Sequence, residues 1–292
     1  MAKFINVIQG LVDHIETNLE FEVNIVDLAS SYEISPYHFQ RLFKALVGDT
    51  LGQYIRGRRL TKAAELITDT RDGLLDIAIA VGFNSHEAFT RSFKSYFNVA
   101  PKDFRISRPP VVLSRKPYLT MDLLEHVAGK MQRDPDVITF SAQKVVGTKM
   151  RVYSPFILEA EFCKQVDENW VKFASRMHEL TSSIPGTYYG ITVSESGHFT
   201  EEYVDYYCCL PVADSFVAPE GLDSYILPER KIALFENYQL TDERFSKTID
   251  YIYGYWLPNS SYKRADGVDY IFVEGMMEFG KPATVKYATP VV

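Results

Sequence analysis

The chain has 292 residues, of which 46% are hydrophobic and 24% are charged, values typical of a folded globular protein of about two domains. No stretch approaches the roughly 18 consecutive apolar residues that span a bilayer, so we expect no membrane partner. Cys163, Cys208 and Cys209 are too few for a disulfide framework and show no metal-ligand spacing. We therefore predict a cytoplasmic protein with no metal site and no cofactor.

The net charge of −7 is unevenly distributed along the chain. Residues 1–108 carry 13 basic and 13 acidic residues, so the whole acidic excess lies beyond them. Residues 36–62 contain six basic residues against one acid, and residues 84–108 contain five against two. Two local basic segments of this kind favour contact with a polyanion, whatever the sum over the chain.

Residues 1–108 predict a series of helices. Apolar residues recur at helical spacing from Ile8 to Leu19, and short amphipathic stretches follow at about 26–31, 36–47, 51–67, 74–81 and 85–96. Ser35-Pro36 places a capping side chain before a proline, a typical helix start. Residues 109–136 contain four prolines and no sustained periodicity, so we predict a linker there.

An internal repeat lies within the helical segment. Phe39-Gln40-Arg41-Leu42-Phe43-Lys44 recurs fifty positions later as Phe89-Thr90-Arg91-Ser92-Phe93-Lys94, and Asp27-Leu28-Ala29 recurs as Asp76-Ile77-Ala78. Each copy predicts a short helix, a tight turn and a second helix, at residues 26–47 and 74–97. One such helix could be an ordinary solvated surface. Two matching copies, each with a phenylalanine edge and basic side chains on another face, favour the major groove of DNA.

Residues 9–107 resemble the DNA-binding domain of the AraC/XylS family, in particular its MarA/Rob branch. The similarity is carried by Ser35 to Lys44, by Leu51-Gly52-Gln53-Tyr54-Ile55-Arg56 and by the tail through Phe104-Arg105. It implies an all-α domain of seven helices, with a long helix near 51–67 joining two helix-turn-helix units. It also implies double-stranded DNA as ligand and RNA polymerase as protein partner. The expected DNA contacts are Tyr37, His38, Gln40, Arg41, Lys44, Arg56, Arg59, Lys62, His86, Glu87, Thr90, Arg91 and Lys94.

The chain departs from this branch at two places. Glu33 stands where the first turn usually has glycine, so we expect that turn to be shaped differently. His86, Glu87 and Ala88 replace the residues usual at the start of the second recognition helix, so promoter preference does not carry over.

From about residue 137 the sequence predicts an α+β domain that extends to residue 292. Stretches rich in Val, Ile, Tyr and Phe predict strands at 144–152, 187–193, 203–212, 230–238, 268–274 and 283–289. Helical patterns interrupt them at about 162–180 and 241–256. The order strand, helix, strand, strand therefore occurs twice, as in a domain built by duplication.

Residues 137–292 resemble the GyrI-like effector-binding domain, through this doubled order and through Gly254-Tyr255-Trp256-Leu257-Pro258. Many relatives bind cationic drugs with a buried Glu where this chain has Ile271, so the resemblance implies a neutral or anionic amphipathic ligand here. Tyrosines occur in pairs, and in a strand one ring of a pair can line a concavity while the other packs on a helix. The expected ligand-binding residues are Tyr153, Trp170, Tyr188, Tyr206, Glu236, Trp256 and Ile271.

The sequence contains no Ser-His-Asp, Cys-His or paired-carboxylate arrangement that predicts catalysis. We therefore expect a sequence-specific DNA-binding transcription regulator, modulated through its second domain, and not an enzyme. Two alternatives stay open for that domain, namely hydrolysis of a small molecule and contact with a protein partner alone.

Overall fold

The computed structural model describes residues 2–21, 23–32, 34–107, 115–155, 159–195, 201–237, 244–274 and 284–292. The chain divides into two compact units. The helical unit contains Met1–Gly129 together with Ile249–Asn259, and the sheet unit contains Lys130–Thr248 and Ser260–Val292. None of the described helices is long and apolar enough to cross a membrane.

The helical unit has seven helices in the described part of residues 2–107, as the sequence predicted. They are α1 (Ala2–Thr17), α2 (Ile25–Ser30), α3 (Pro36–Val47), α4 (Leu51–Asp69), α5 (Leu74–Ala80), α6 (His86–Phe97) and α7 (Pro101–Ser107). The 19-residue α4 joins the α2–α3 pair to the α5–α6 pair. Its start is fixed by a capping box, in which Thr50 and Gln53 bond reciprocally.

The segment predicted as a linker, 109–136, contains an eighth helix, α8 (Met121–Gly129). Leu123, Leu124 and Val127 are buried there, so a short apolar face holds this helix against the helical unit. The pattern covers little more than two turns and follows several prolines, which is why the sequence did not predict it. The linker prediction is therefore wrong for these residues.

The described residues of the sheet unit form one eight-stranded antiparallel sheet in the order β1-β6-β8-β7-β3-β4-β2-β5. The strands are β1 (Asp136–Phe140), β2 (Gln143–Tyr153), β3 (Thr187–Val193), β4 (Tyr203–Val212), β5 (Asp223–Leu227), β6 (Arg230–Asn237), β7 (Asp269–Glu274) and β8 (Thr284–Pro290). The six predicted strands are confirmed. The two that were missed, β1 and β5, are the short edge strands, which carry few buried side chains.

The described residues also form two helical runs that lie between strands in the chain. They are α9 (Glu159–Arg176), which ends in a 3₁₀ turn (Met177–Glu179), and α10 (Arg244–Tyr251), which continues through a π-helical turn (Ile252–Trp256) into α11 (Leu257–Asn259). The predicted duplication is confirmed as β2-α9-β3-β4 followed by β6-α10-β7-β8.

Helices α9 and α10 lie on the same face of the sheet. The amide of Asn169 on α9 donates to the carbonyls of Thr148 (3.3 Å) and Tyr206 (3.2 Å). The hydroxyl of Thr248 on α10 donates to Asn237 (2.9 Å), whose side chain is on that face too. Neither of these helices covers the opposite face of the sheet.

Candidate nucleic-acid interface and concave face

The two helix-turn-helix units share an equivalent backbone hydrogen bond across the turn. In the first turn the amide of Ile34 donates to the carbonyl of Ala29 at 3.1 Å, and 49 positions later the amide of Phe83 donates to that of Ala78 at 2.9 Å. The internal repeat in the sequence is therefore a structural repeat. Glu33, for which we predicted a differently shaped turn, lies outside the described residues.

Serine caps start both second helices. The Ser35 hydroxyl accepts from the amide of His38, and the Ser85 hydroxyl accepts from the amide of Ala88, each at 3.2 Å. A cap of this kind satisfies an amide that would otherwise lack an intrahelical partner. It therefore fixes the residue at which α3 and α6 begin, and with it the direction in which their first side chains point.

Phenylalanine pairs anchor both helices to the core. The ring centroids are 6.1 Å apart for Phe39 and Phe43 of α3 and 5.5 Å apart for Phe89 and Phe93 of α6, and all four rings are fully buried. Since each pair spans one helical turn, it holds a single edge of the helix and leaves the opposite edge in solvent.

The outer edge of α3 is polar, basic and aromatic. Its exposed residues include Tyr37, His38, Gln40, Arg41 and Lys44. The Tyr37 side chain is 71% exposed, which is unusual for so large a ring, and the Arg41 guanidinium lies 5.6 Å from its centroid. The Tyr37 ring thus holds the Arg41 guanidinium in place, and together they form an exposed surface to which a base edge or a phosphate can bind.

The outer edge of α6 has a different composition. Its exposed residues include His86, Glu87, Arg91 and Lys94, while Thr90 is half-buried. A carboxylate such as Glu87 can accept from a cytosine amino group but repels phosphate, so the outer edge of α6 differs chemically from that of α3. The two helices therefore present two unlike surfaces on one chain.

The three α4 residues predicted to contact DNA differ in their exposure and in their hydrogen bonds. Arg56 and Lys62 are exposed, as a contact to phosphate requires. Arg59 is half-buried, and its guanidinium donates to the backbone carbonyls of Leu19 (2.7 Å), Phe21 (2.8 Å) and Gly82 (2.8 Å). The donors of Arg59 therefore tie the end of α1 to the turn after α5 and are not available to DNA, contrary to the prediction.

In the sheet unit, the face opposite α9 and α10 is concave. The ring of Phe140 on β1 lies 6.2 Å from that of Tyr189 on β3, although four strand spacings separate the two strands. In a flat sheet that separation would be about 19 Å. The sheet must therefore curl strongly, so that its edge strand β1 approaches β3 across what we call the concave face.

Aromatic side chains line the concave face: Phe140, Tyr189, Tyr207, Tyr225, Tyr270 and Phe272. The Tyr270 side chain is fully buried, and its hydroxyl has no hydrogen-bond partner among the described residues. Burial raises the pKa of Tyr270 to about 12, so this hydroxyl keeps its proton at neutral pH. A buried donor without a partner is costly, and a ligand acceptor or a water molecule would remove that cost.

Charged residues on the concave side of the sheet neutralise one another. The Lys286 ammonium lies 2.9 Å from Glu274 and 3.5 Å from Glu236. Burial lowers the pKa of Lys286, but the two carboxylates outweigh it, and the pKa lies above its usual value. The carboxylates are therefore already paired with a cation that belongs to the chain.

Comparison with known proteins matches both units. Residues 28–107 match a helix-turn-helix domain family of AraC type. Multiple antibiotic resistance protein MarA of Salmonella typhimurium is 38% identical over 100 residues, which cover 34% of this chain and 79% of that protein. Probable transcription factor PqrA of Proteus vulgaris is 40% identical over 102 residues, covering 34% and 84%. A solved AraC-type regulator from Chromobacterium violaceum is 30% identical, covers 34% of this chain and 88% of its own, and has a TM-score of 0.32.

Residues 133–290, more than half of the chain, match the GyrI-like small molecule binding domain family. The chain belongs to the GyrI-like family. Its N-terminal part is an AraC-type DNA-binding domain of the MarA/Rob kind, and the protein is a DNA-binding transcription regulator. Both resemblances stated from the sequence are confirmed.

Four of the seven ligand residues predicted for the GyrI-like domain lie near one another on the side of the sheet that α9 covers. Tyr188 and Tyr206 pack against Phe173 and Phe162 of α9, and Trp170 lies on α9 itself. Ile271 is on the same side, because a Cβ added at Gly190 would meet both the Tyr206 hydroxyl and the Ile271 side chain. The other three predicted residues lie elsewhere. Tyr153 packs on Tyr203 at the end of β2, Glu236 lies on the concave side, and Trp256 belongs to the helical unit.

The GyrI-like domain does divide its tyrosine pairs between the two faces of the sheet. Tyr188 faces α9 while Tyr189 faces the concavity, and the same holds for Tyr206 and Tyr207. The sequence predicted that the two rings of a tyrosine pair point to opposite faces, because side chains alternate along a strand. Which member of a pair faces the helix depends on where α9 packs, and nothing in the spacing of the residues gives that.

Proposed function

We propose that this chain binds one asymmetric DNA site as a monomer, with α3 and α6 in two successive major grooves. The observation that carries this proposal is the duplicated pattern of exposed polar and basic side chains over a buried phenylalanine pair. The proposed contacts are Tyr37, His38, Gln40, Arg41 and Lys44 of α3, Arg56 and Lys62 of α4, and His86, Glu87, Thr90, Arg91 and Lys94 of α6. We expect the protein to act in the cytoplasm, with RNA polymerase as its partner at the promoter.

Genome-wide mapping of the sites bound by the full chain tests this proposal. We expect an enriched motif with two unlike halves whose centres lie about one helical turn apart. Variants Arg41→Ala and Arg91→Ala assign the halves to α3 and α6, because each should relax the motif in one half only. A set of bound sites without any shared motif would contradict sequence-specific binding.

We propose further that a small amphipathic ligand in the concave face modulates DNA binding. Its aromatic part would stack on the lining rings, and an acceptor oxygen would bond to the Tyr270 hydroxyl. Lys286 already pairs with Glu236 and Glu274, so these carboxylates are poor candidates for holding a cationic ligand. The ligand chemistry we propose is therefore neutral or anionic.

Calorimetry on the full chain with two aromatic probes of opposite charge tests the ligand class. We expect anilinonaphthalenesulfonate to bind and tetraphenylphosphonium to bind weakly or not at all. Tyr270→Phe should weaken the anionic probe, whereas Tyr188→Phe, on the helix side, should not. Micromolar binding of tetraphenylphosphonium would contradict the proposal and would indicate that a carboxylate, with Glu236 the first candidate, binds the cation. Recovery of a chemically altered probe would favour hydrolysis of a small molecule by this domain. If neither probe bound, contact with a protein partner alone would be favoured.

A further inference from the structure

The helical unit contains a buried ion pair between Lys116 and Asp49. The ammonium and the carboxylate are 2.8 Å apart, and the side chains are only 4% and 2% exposed. Asp49 follows Gly48, the residue that ends α3, and precedes Thr50, the residue that caps α4. Desolvating two charges cancels much of their attraction, so a buried pair of this kind is better explained by the geometry it fixes than by stability.

Lys116 is held in place along its whole length by α4. Its amide donates to the Thr61 hydroxyl at 2.9 Å, and its carbonyl accepts from the Arg58 guanidinium at 2.7 Å. Its methylene chain lies on Gly57, where an added Cβ would be 3.1 Å from three Lys116 carbons. The ammonium therefore reaches Asp49 from a fixed direction.

Residues Ile249–Asn259 close this cluster from the other side. The Lys116 ammonium donates to the carbonyl of Gly254 and lies 4.4 Å from the centre of the Tyr255 ring. The Asn259 amide donates both to the Asp49 carboxylate and to the carbonyl of Tyr255 (2.7 Å). The Tyr255 hydroxyl donates to the carbonyl of Pro117. Asp49 thus has one oxygen on Lys116 and the other on Asn259.

The same helical run connects this cluster to the GyrI-like domain. Its residues up to Thr248 belong to the sheet unit and those from Ile249 belong to the helical unit, and the π-helical turn follows directly. π-Helical turns are uncommon and often occur at functional sites. A displacement of α10 along its axis would therefore move Gly254 and Tyr255, and with them the partners of Lys116.

We propose that Lys116 is a positioning residue for DNA reading, which fixes the end of α3 through Asp49 and links it to the second helix of the GyrI-like domain. This inference depends on the proposed DNA-binding function. The inference applies to α3 only. In the second helix-turn-helix unit, the position equivalent to Asp49 lies fifty residues later and is Val99, which cannot form an ion pair. The helix α6 should therefore be independent of the link.

Footprinting of the full chain on its mapped site tests the proposal. Lys116→Met should reduce occupancy of the half read by α3 about tenfold and leave the half read by α6 unchanged, since an unpaired Asp49 disturbs only the end of α3. Asp49→Asn combined with Lys116→Met removes both charges and should restore part of the loss. Lys149→Met, which breaks the ion pair with Asp205 in the sheet unit, is the matched control and should change neither half.

Hydrogen exchange on the same variants gives a second readout that needs no DNA. Lys116→Met should speed exchange of residues 44–53 and 249–259 together, while α6 stays protected. Asn259→Ala is a milder variant with the same expected pattern, in case Lys116→Met does not fold. An equal loss in both half-sites, or exchange that rises throughout the helical unit, would overturn the positioning role. If the unmodified chain left no footprint, the proposed DNA binding would fail, and the exchange pattern would still decide the role of Lys116.

Discussion

At the scale of single residues, Arg41 is the side chain best placed to read a base. Its guanidinium lies over the Tyr37 ring and keeps its donors at the exposed edge of α3, a geometry suited to a guanine. Arg41→Ala should weaken binding to the specific site by about 1–3 kcal/mol and lower the ratio of specific to random-DNA affinity. Titrations on the specific duplex and on a scrambled duplex measure both. An unchanged ratio would mean that Arg41 contacts phosphate only.

Lys62 provides the contrasting case on α4. It is exposed and lies 3.4 Å from Glu65 in a surface pair of little strength. Lys62→Ala should weaken specific and random DNA alike and flatten the dependence of log affinity on log salt by about one unit. A salt titration of both duplexes measures this slope. A loss confined to the specific site would contradict a phosphate contact.

Arg59 should affect folding and not base reading. Arg59→Met leaves two part-buried carbonyls and one exposed carbonyl without this donor, so we expect the free energy of unfolding to fall by about 1–3 kcal/mol. Arg56→Met, on an exposed position of the same helix, is the control and should change it by less than about 0.5 kcal/mol. Urea denaturation measures both variants. If the Arg59→Met protein kept its stability but bound DNA more weakly, the result would identify Arg59 as a DNA contact.

At the scale of elements, the turn between α5 and α6 depends on Gly82. Its φ is +81°, and an added Cβ would lie 2.8 Å from the carbonyl oxygens of Leu19 and Glu20. Gly82→Ala should therefore lower the free energy of unfolding by about 1–3 kcal/mol. Gly52→Ala, in α4 with open space around it, should instead raise it by about 0.5–1 kcal/mol. Thermal unfolding measures the stability of both variants, and an equal loss of stability in the two would contradict the steric argument.

Most elements of both units could be predicted from the sequence, because their signals are local. Two matching segments fifty residues apart gave the helix-turn-helix units, and the apolar strand segments gave six of the eight strands. The exceptions are short. The edge strands β1 and β5 and the helix α8 are five to nine residues long, and their formation depends on the neighbours they pack against.

The candidate sites were predicted less evenly than the elements. Exposed residues of α3 could be placed from one helical period, since the buried edge was marked by Phe39 and Phe43. Arg59 could not, because its carbonyl partners come from the end of α1 and the turn before α6, far away in sequence. The tyrosines Tyr189, Tyr207 and Tyr270 were missed for a similar reason, since only helix packing distinguishes the two faces of a strand.

At the scale of the whole molecule, buried tyrosines should make the fold sensitive to alkaline pH. Burial raises the pKa of Tyr189 and Tyr270 to about 12 and the pKa values of Tyr206 and Tyr255 well above their usual range. Because the folded chain holds these protons more tightly, their stabilisation is complete below about pH 10 and is lost as the pH rises through the folded pKa values.

Urea denaturation at pH 8 to 11, with tyrosinate absorbance recorded in parallel, tests this expectation. Each such tyrosine should lower the free energy of unfolding by about 1.4 kcal/mol per pH unit above 10. The absorbance should rise in two stages, with exposed rings first and buried rings only on unfolding. Titration of every tyrosine near pH 10 in a chain that stays folded would show that these hydroxyls are accessible to water.

We propose that one chain, with its two unlike helices α3 and α6, recognises DNA without a second copy. Native mass spectrometry of the complex with a mapped site, joined to a footprint of the same complex, measures this directly. We expect one chain per duplex and a continuous, asymmetric protected stretch of about 20 bp. Two chains on a palindromic site, each protecting a single major groove, would contradict it.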